Sequence, residues 1–407
     1  MRVVFVNRFF YPDISATSQI LTDLAFALAA DGHQVMVITG RRAYDDASQV
    51  MQSREFIDGV SIMRVPGTGF GRARLVGRAL DYLTFYFAAF VYLVWQLKRG
   101  DIVIAKTDPP MISVVVAVAS RWRGAKLVNW LQDIFPEVAT RLGVIRESGL
   151  TRLLVWLRNR SLNRAATNVV LGERMADWVG KQGVAPMCID VIPNWSHGRT
   201  IYDLPESENE LRRMWALGGR FVVGYSGNLG RAHDVETLYD AMVRLRGHPV
   251  ITFLFVGGGA GLQALKARLA DAHVENVQWQ AYQPRERLRE SLGAPDAHVV
   301  TLRPELEGLI VPSKFYGVIA AGRPTINIGD RDGEIGRLVA AGQLGETIAP
   351  GDGAALAALI EHWAATPDVV KALGANGRAF FDQHCDFGHA LTAWRRLLAR
   401  IAADGER

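Results

Sequence analysis

The sequence predicts an α/β fold of two Rossmann-like, doubly wound domains facing each other across a cleft, and three observations carry the prediction. Short apolar runs alternate with helix-length amphipathic segments, as parallel sheets joined by crossover helices require. The alternation breaks at residues 193–210, PNWSHGRTIYDLPESENE, where polar and breaker residues take over, and then starts again. The length of 407 residues agrees, since a domain takes about 100–200.

The elements follow in order. RVVFV reads as a buried strand, then a loop and an amphipathic helix over residues 19–30. QVMVI, VSIMRV, DIVIA, KLVNW, TNVVL and CIDVI are further strands separated by helix-length segments. These define a first domain over residues 1–200. The second, over residues 211–385, has the strands RFVVGYSG, ITFLFVGGG, ENVQWQAY, AHVVTL and RPTINI. Helices are predicted at residues 354–364, 367–382 and 388–402, and the last segment, 386–407, is expected to pack back on the first domain. No short-period repeat argues for a solenoid.

Charge is divided unevenly. The formal net charge is +5. Residues 1–200 hold 24 Lys and Arg against 16 Asp and Glu, whereas the remainder holds 22 against 25. The first half therefore faces something anionic or pairs its charges internally. Cys188 and Cys385 cannot form a disulfide framework, and the chain opens without a signal-peptide pattern, so a reduced cytoplasmic setting is expected. The most lipid-like stretch is residues 79–97, ALDYLTFYFAAFVYLVWQL, with Asp81 and Gln96 interrupting its ends. It reads either as a buried crossover helix or as an interfacial one. Arg72, Arg74 and Arg78 precede it, and TRLLVWLRNRSLNRA sets Arg152, Arg158, Arg160 and Arg164 beside apolar residues, which suits an anionic membrane surface.

Chemistry is expected in the loops that follow the strands. The first loop of domain two, YSGNLGRAH, offers Gly227 and Gly230 for close backbone approach, with Asn228, Arg231 and His233 as polar groups for a diphosphate. Its alternative is an ordinary strand-to-helix turn capped by Asp234. Gly257-Gly258-Gly259 reads as tight packing, and Tyr282 closes the next strand region as a substrate-binding candidate. In RPELEGLIVPSKFYGVIAAGRP, Glu305 and Glu307 precede a helix opened by Ser313 and Lys314. Such a helix start suits phosphate and the acids suit sugar hydroxyls; alternatively these are solvated surface charges. The nine histidines show no paired ligand spacing, and Asp330-Arg331-Asp332 matches a DxD pattern that recurs by chance, so no metal is expected.

YSGNLGRAHDVETLYDA, GLIVPSKFYGVIAAGRP and the opening strand, loop, helix and DGHQV together resemble family 4 retaining glycosyltransferases of the GT-B fold, most of all bacterial enzymes of exopolysaccharide, capsule or O-antigen assembly. The resemblance implies a nucleotide-sugar donor held by the second domain, an acceptor held by the first, and transfer with retention. It implies that Arg231, with His233 or Lys314, holds the diphosphate, and that Glu305 or Glu307 is the first acid of a pair whose second position falls on Gly317. Glu334 matches a later acid near the donor. Ser15-Ala16 replaces the paired glycines of the first loop, so the hydroxyls of Ser15 and Thr17 supplement the backbone there. Asp133, in LQDIFPE, is implied to contact the reacting sugar or acceptor, with Glu137 second; capping a helix is the alternative for Asp133. A polyprenyl-diphosphate-linked saccharide is the implied acceptor, which would hold the protein at the inner face of the cytoplasmic membrane. Competing readings are a sugar-nucleotide epimerase of the same architecture and a non-catalytic nucleotide-binding module. Nucleic acid is excluded as a partner, because aromatic stacking platforms and a recognition-helix motif are missing.

Overall fold

The computed structural model describes residues 1–13, 15–43, 49–71 and 75–403. They form two compact units, one of Met1–Pro193 with the chain from Leu391 onward, the other of Asn194–Ala390. The divide falls at the front edge of the breaker-rich segment. Trp195 and His197 pack their rings on Phe387 at 5.5 and 5.1 Å, and Gly198 N–H donates to Asp386, which ties that segment to the second unit.

The first unit runs β1 (Arg2–Val6), α1 (Ala16–Ala30), β2 (Gln34–Gly40), β3 (Arg54–Ile57), β4 (Val60–Val65), α2 (Leu75–Gln96), β5 (Ile102–Lys106), α3 (Ile112–Arg123), β6 (Lys126–Trp130), α4 (Glu137–Arg141), α5 (Gly149–Arg164), β7 (Thr167–Val170), α6 (Glu173–Lys181) and β8 (Ile189–Val191). Its sheet has the order β3-β4-β2-β1-β5-β6-β7-β8, and every neighbouring pair is parallel except β3 with β4. β1 and β5 are buried along nearly their whole length, which is why they read as unbroken apolar runs. β3 is not among the predicted strands. Its four residues, REFI, alternate between exposed and half-buried, and Asp58-Gly59, with φ of 46° and 81°, turns it back into β4 as a two-residue hairpin.

α2 contains most of the lipid-like stretch and serves the core on one face only: Phe85, Ala89 and Leu93 pack with Val4, Val6 and Ile38. Asp81 is a buried anchor rather than an interruption. Its carboxylate accepts from Thr68 Oγ1 (2.8 Å), Phe70 N (3.0 Å), Gly71 N (3.2 Å) and Arg8 Nη2 (3.3 Å). Removing it leaves those donors unmatched. Asp81→Ala is therefore expected to lower unfolding free energy by about 3 kcal/mol in urea titration, and a loss below about 1 kcal/mol would contradict this account. Arg72 and Arg74 lie outside the described residues.

The second unit runs α7 (Glu210–Met214), β9 (Phe221–Asn228), α8 (Glu236–Arg244), β10 (Ile251–Gly258), α9 (Ala260–Asp271), β11 (Val277–Gln280), α10 (Leu288–Gly293), β12 (Ala297–Thr301), α11 (Lys314–Ala320), β13 (Thr325–Ile328), α12 (Glu334–Gly342), β14 (Gly345–Ile348), α13 (Gly353–Ala365) and α14 (Pro367–His384). All its strands are parallel, in the order β11-β10-β9-β12-β13-β14. Counted within the unit this is 3-2-1-4-5-6, so the winding reverses between β9 and β12, and ligands of doubly wound sheets bind beyond the carboxyl ends of strands at such a point. Edge strand β14, GETI, is not among the predicted strands either, because of its four residues only Ile348 is apolar and buried.

α15 (Phe387–Ala403) starts in the second unit and ends in the first. There Trp394 meets Trp130 edge to face at 4.8 Å, Arg395 donates to Asp31 at 2.7 and 2.6 Å, and Arg400 pairs with Asp190.

Candidate active site

The second unit places its chemistry at the reversal between β9 and β12. β9 ends in Gly227-Asn228, β12 ends in Thr301, and α11 brings Lys314 between them. Lys314 Nζ donates to Asn228 O (3.0 Å) and lies 3.4 Å from His233 Nε2. His233 Nδ1 is 2.8 Å from Thr301 O. A carbonyl only accepts, so Nδ1 carries the hydrogen and Nε2 is left to accept from Lys314. Asn228 O also accepts from the Tyr225 hydroxyl (2.9 Å), and the Tyr225 ring lies 5.1 Å from Lys314 Nζ.

Electrostatics follow from this packing. Burial pulls the Lys314 ammonium down to about 8. Burial, and then the Lys314 charge, pull His233 to about 4, so His233 is neutral near pH 7. Glycine is required here: Gly227 has φ of 117°, and a Cβ on it would stand 2.6 Å from Lys314 Cε. Gly257 and Gly259 pack on the backbone of the same loop, which is the tight-packing role read from the glycine cluster.

Other expected residues sort differently. Arg231 is exposed on the same loop, and no hydrogen bond or ion pair of its guanidinium occurs among the described residues. Asp234 accepts from Thr237 N (2.9 Å), so the loop also caps the start of α8. Tyr282 is exposed with its ring edge beside Gly258. Glu305 pairs with Arg303. Glu307 accepts from Glu334 N (2.9 Å) and closes the N-terminus of α12, where Glu334 is buried. Ser313 is exposed at the start of α11, a helix of seven residues, and makes no capping hydrogen bond with its side chain. Gly317 lies inside α11 with no side chain to offer a ribose.

In the first unit Ser15 Oγ accepts from Ser18 N at 3.3 Å at the start of α1, which uses a lone pair of the hydroxyl and not its hydrogen, and Thr17 is half-buried in the same helix. Asp133 lies beyond β6 and does not cap α4, which starts at Glu137. Its carboxylate reaches the surface, yet the protein packed around it, and then Asp108, push it up to about 6. Glu137 is engaged by Arg158 at 2.7 and 3.2 Å. Arg158, 4% exposed and stacked on Trp178, is thereby removed from the surface charges that were read as membrane-facing. Sequence reasoning missed Lys106, buried at the end of β5 with Nζ 3.6 Å from the Trp130 ring centre, because a lysine closing an apolar run carries no signal of its own.

Two doubly wound units in one chain, with a cationic site at the strand-order reversal of the second, are the architecture of the GT-B fold, and the sequence matches make the chain a glycosyltransferase. The sequence matches the same class in both halves: residues 16–195 match the Glycosyl transferase 4-like domain and residues 207–380 match Glycosyl transferases group 1. The chain belongs to the family 4 glycosyltransferases. The probable glycosyltransferase WbjE of Pseudomonas aeruginosa is 27% identical over 290 residues, 71% of this chain and 72% of that protein. The putative colanic acid biosynthesis glycosyl transferase WcaI of Escherichia coli is 23% identical over 350 residues, 83% and 86% of the two chains. Among solved structures, HepE of Anabaena in complex with UDP-glucose superposes with a TM-score of 0.72 at 18% identity, covering 99% of this chain and 100% of that one.

Proposed function

We propose that the protein transfers a hexosyl or N-acetylhexosaminyl group, with retention at the anomeric carbon, from a UDP- or GDP-sugar to a polyprenyl-diphosphate-linked saccharide in bacterial surface-polysaccharide synthesis. The observation that carries this reading is the Lys314, His233 and Asn228 cluster at the strand-order reversal, with Arg231 exposed on the same loop. A diphosphate there meets two cations, and its charge needs no metal. The bond from the anomeric carbon to the donor phosphate breaks while the bond to the acceptor hydroxyl forms on the same face, and the acceptor proton passes to the departing phosphate oxygen. Arg231 and Lys314 stabilise the charge on that leaving group, and Asp133 contacts the reacting sugar or acceptor. WcaI is named for colanic acid biosynthesis and HepE was solved with UDP-glucose, and both support the donor and pathway class. The protein works in the cytoplasm, at the inner face of the membrane where a polyprenyl-linked acceptor presents its headgroup.

A panel of UDP- and GDP-sugars tests the reading. The true donor raises the melting temperature, because at 100 times its Kd it stabilises the native state by about 2.7 kcal/mol. Transfer from that donor is expected to persist in EDTA and to give the donor's anomeric configuration. An inverted product, or turnover abolished by the chelator, overturns the mechanism.

A further inference from the structure

The outer surface of the first unit carries a feature that glycosyl transfer does not use. α2 packs on α3 and α3 on α5, and Phe90 of α2 meets Trp122 of α3 edge to face at 5.5 Å. Along α2, on the side away from the core, Val76, Leu80, Leu83, Phe87, Val91 and Trp95 are exposed. They recur every three or four residues, so they form one stripe roughly 30 Å long at the helical rise. Phe87 is 72% and Trp95 79% exposed, and Trp122 on α3 (67%) and Trp156 on α5 (52%) extend the apolar surface to the neighbouring helices. Isolated exposed apolar residues need no explanation, but a contiguous aromatic-rich surface of this extent marks an interaction site.

Charge identifies what covers it. The three helices contain seven arginines and a single acid. That acid, Asp81, is buried, and so is Arg158. What reaches the surface is therefore positive: Arg121 flanks Trp122, and Arg152 and Arg160 flank Trp156, with the Arg160 guanidinium 4.7 Å from the Trp156 ring centre. A second copy pressed face to face would oppose arginine to arginine. An anionic bilayer accepts both components, aromatic side chains at the acyl boundary and guanidinium groups among the headgroups. Among the described residues no helix is long and apolar enough to cross a membrane. The Asp81 network also holds α2 to the first unit, so α2 can only lie along the surface.

We propose that the exposed face of α2, α3 and α5 is an interfacial membrane-binding surface for anionic phospholipid, with Phe87, Trp95, Trp122 and Trp156 as its inserted anchors. The proposal rests on the reading that the acceptor is membrane-borne and specifies which surface meets the bilayer.

Co-flotation of the full chain with phosphatidylglycerol-containing vesicles, and with pure phosphatidylcholine vesicles, tests it. Wild type is expected to float with the anionic vesicles and to be released by salt. Leu83→Gln/Phe87→Gln/Trp95→Gln is expected to lower the partition coefficient about tenfold or more with an unchanged melting temperature, since each buried apolar side chain contributes to interfacial affinity. Arg121→Gln/Arg152→Gln/Arg160→Gln is expected to abolish the preference for anionic lipid. Undiminished flotation of the two triple variants shows that another surface binds and overturns the proposal while leaving a membrane-borne acceptor intact. Absence of wild-type flotation overturns it as well, and a dimer dispersed by the same substitutions, seen by sedimentation, identifies a second copy as the occupant instead. Thermal shift with the nucleotide-sugar panel is read on the same samples, so loss of donor binding with flotation preserved marks failure of the glycosyltransferase reading alone.

Discussion

Arg231→Ala is expected to lower kcat by about 100-fold or more while leaving the melting temperature within about two degrees of wild type. The two halves of this expectation have separate causes. The fold loses nothing, because the guanidinium is exposed and makes no hydrogen bond or ion pair among the described residues. Catalysis loses a cation at the moment the donor's diphosphate departs and its charge rises, when removing one preorganised donor typically costs two to three powers of ten, that is roughly 3–4 kcal/mol. Arg231→Lys is expected to recover part of the rate, since it restores charge without the planar pair of donors. Steady-state transfer rates beside thermal melts decide the matter; a near-normal rate in Arg231→Ala removes the residue from the site.

Lys314 gives a prediction of similar size with a pH signature. Burial pulls its ammonium down to about 8, so the cation that meets the diphosphate is fully present below that pH and is lost as pH rises through it. kcat/KM, which reports the free enzyme, is expected to fall on the alkaline side with a midpoint near 8. kcat should hold to higher pH, because a bound diphosphate raises the lysine's pKa again. Lys314→Met is expected to lose about 100-fold or more in kcat/KM together with the alkaline limb. In Lys314→Arg the limb should move out of the accessible range, as guanidinium stays charged. His233, held near 4, stays neutral through this window and contributes no limb of its own. An alkaline limb still near pH 8 in Lys314→Arg assigns the titration to another group.

How far the sequence foretold the structure depended on the kind of signal each element carries. β1, β5 and β10 are buried along most of their length and spell nearly continuous apolar runs, as does the first half of β9, so they were legible. β3 and β14 lie at sheet edges and are four residues long, and neither spells such a run. α2 was legible as a helix, but with apolar residues on both faces only the fold separates Phe85, which is buried, from Phe87, which is not. At the site, Lys314 and His233 were found from residue type and motif, whereas their partners, the carbonyl oxygens of Asn228 and Thr301, are backbone groups that no side-chain motif can announce. Arg158 could not be told from its exposed neighbours Arg152 and Arg160 by residue type, because its burial follows from Glu137, a partner 21 residues away in the chain.

The path of α15 bears on how the chain is made. A ribosome releases residues 1–193 first, yet Trp130 has its Trp394 neighbour, and Asp31 and Asp190 their arginines, only when the last helix emerges. The second unit, continuous from Asn194 to Ala390, is complete before the first. The first unit therefore acquires its full set of contacts only after the whole of the second has been made, although its own strands come first in the chain.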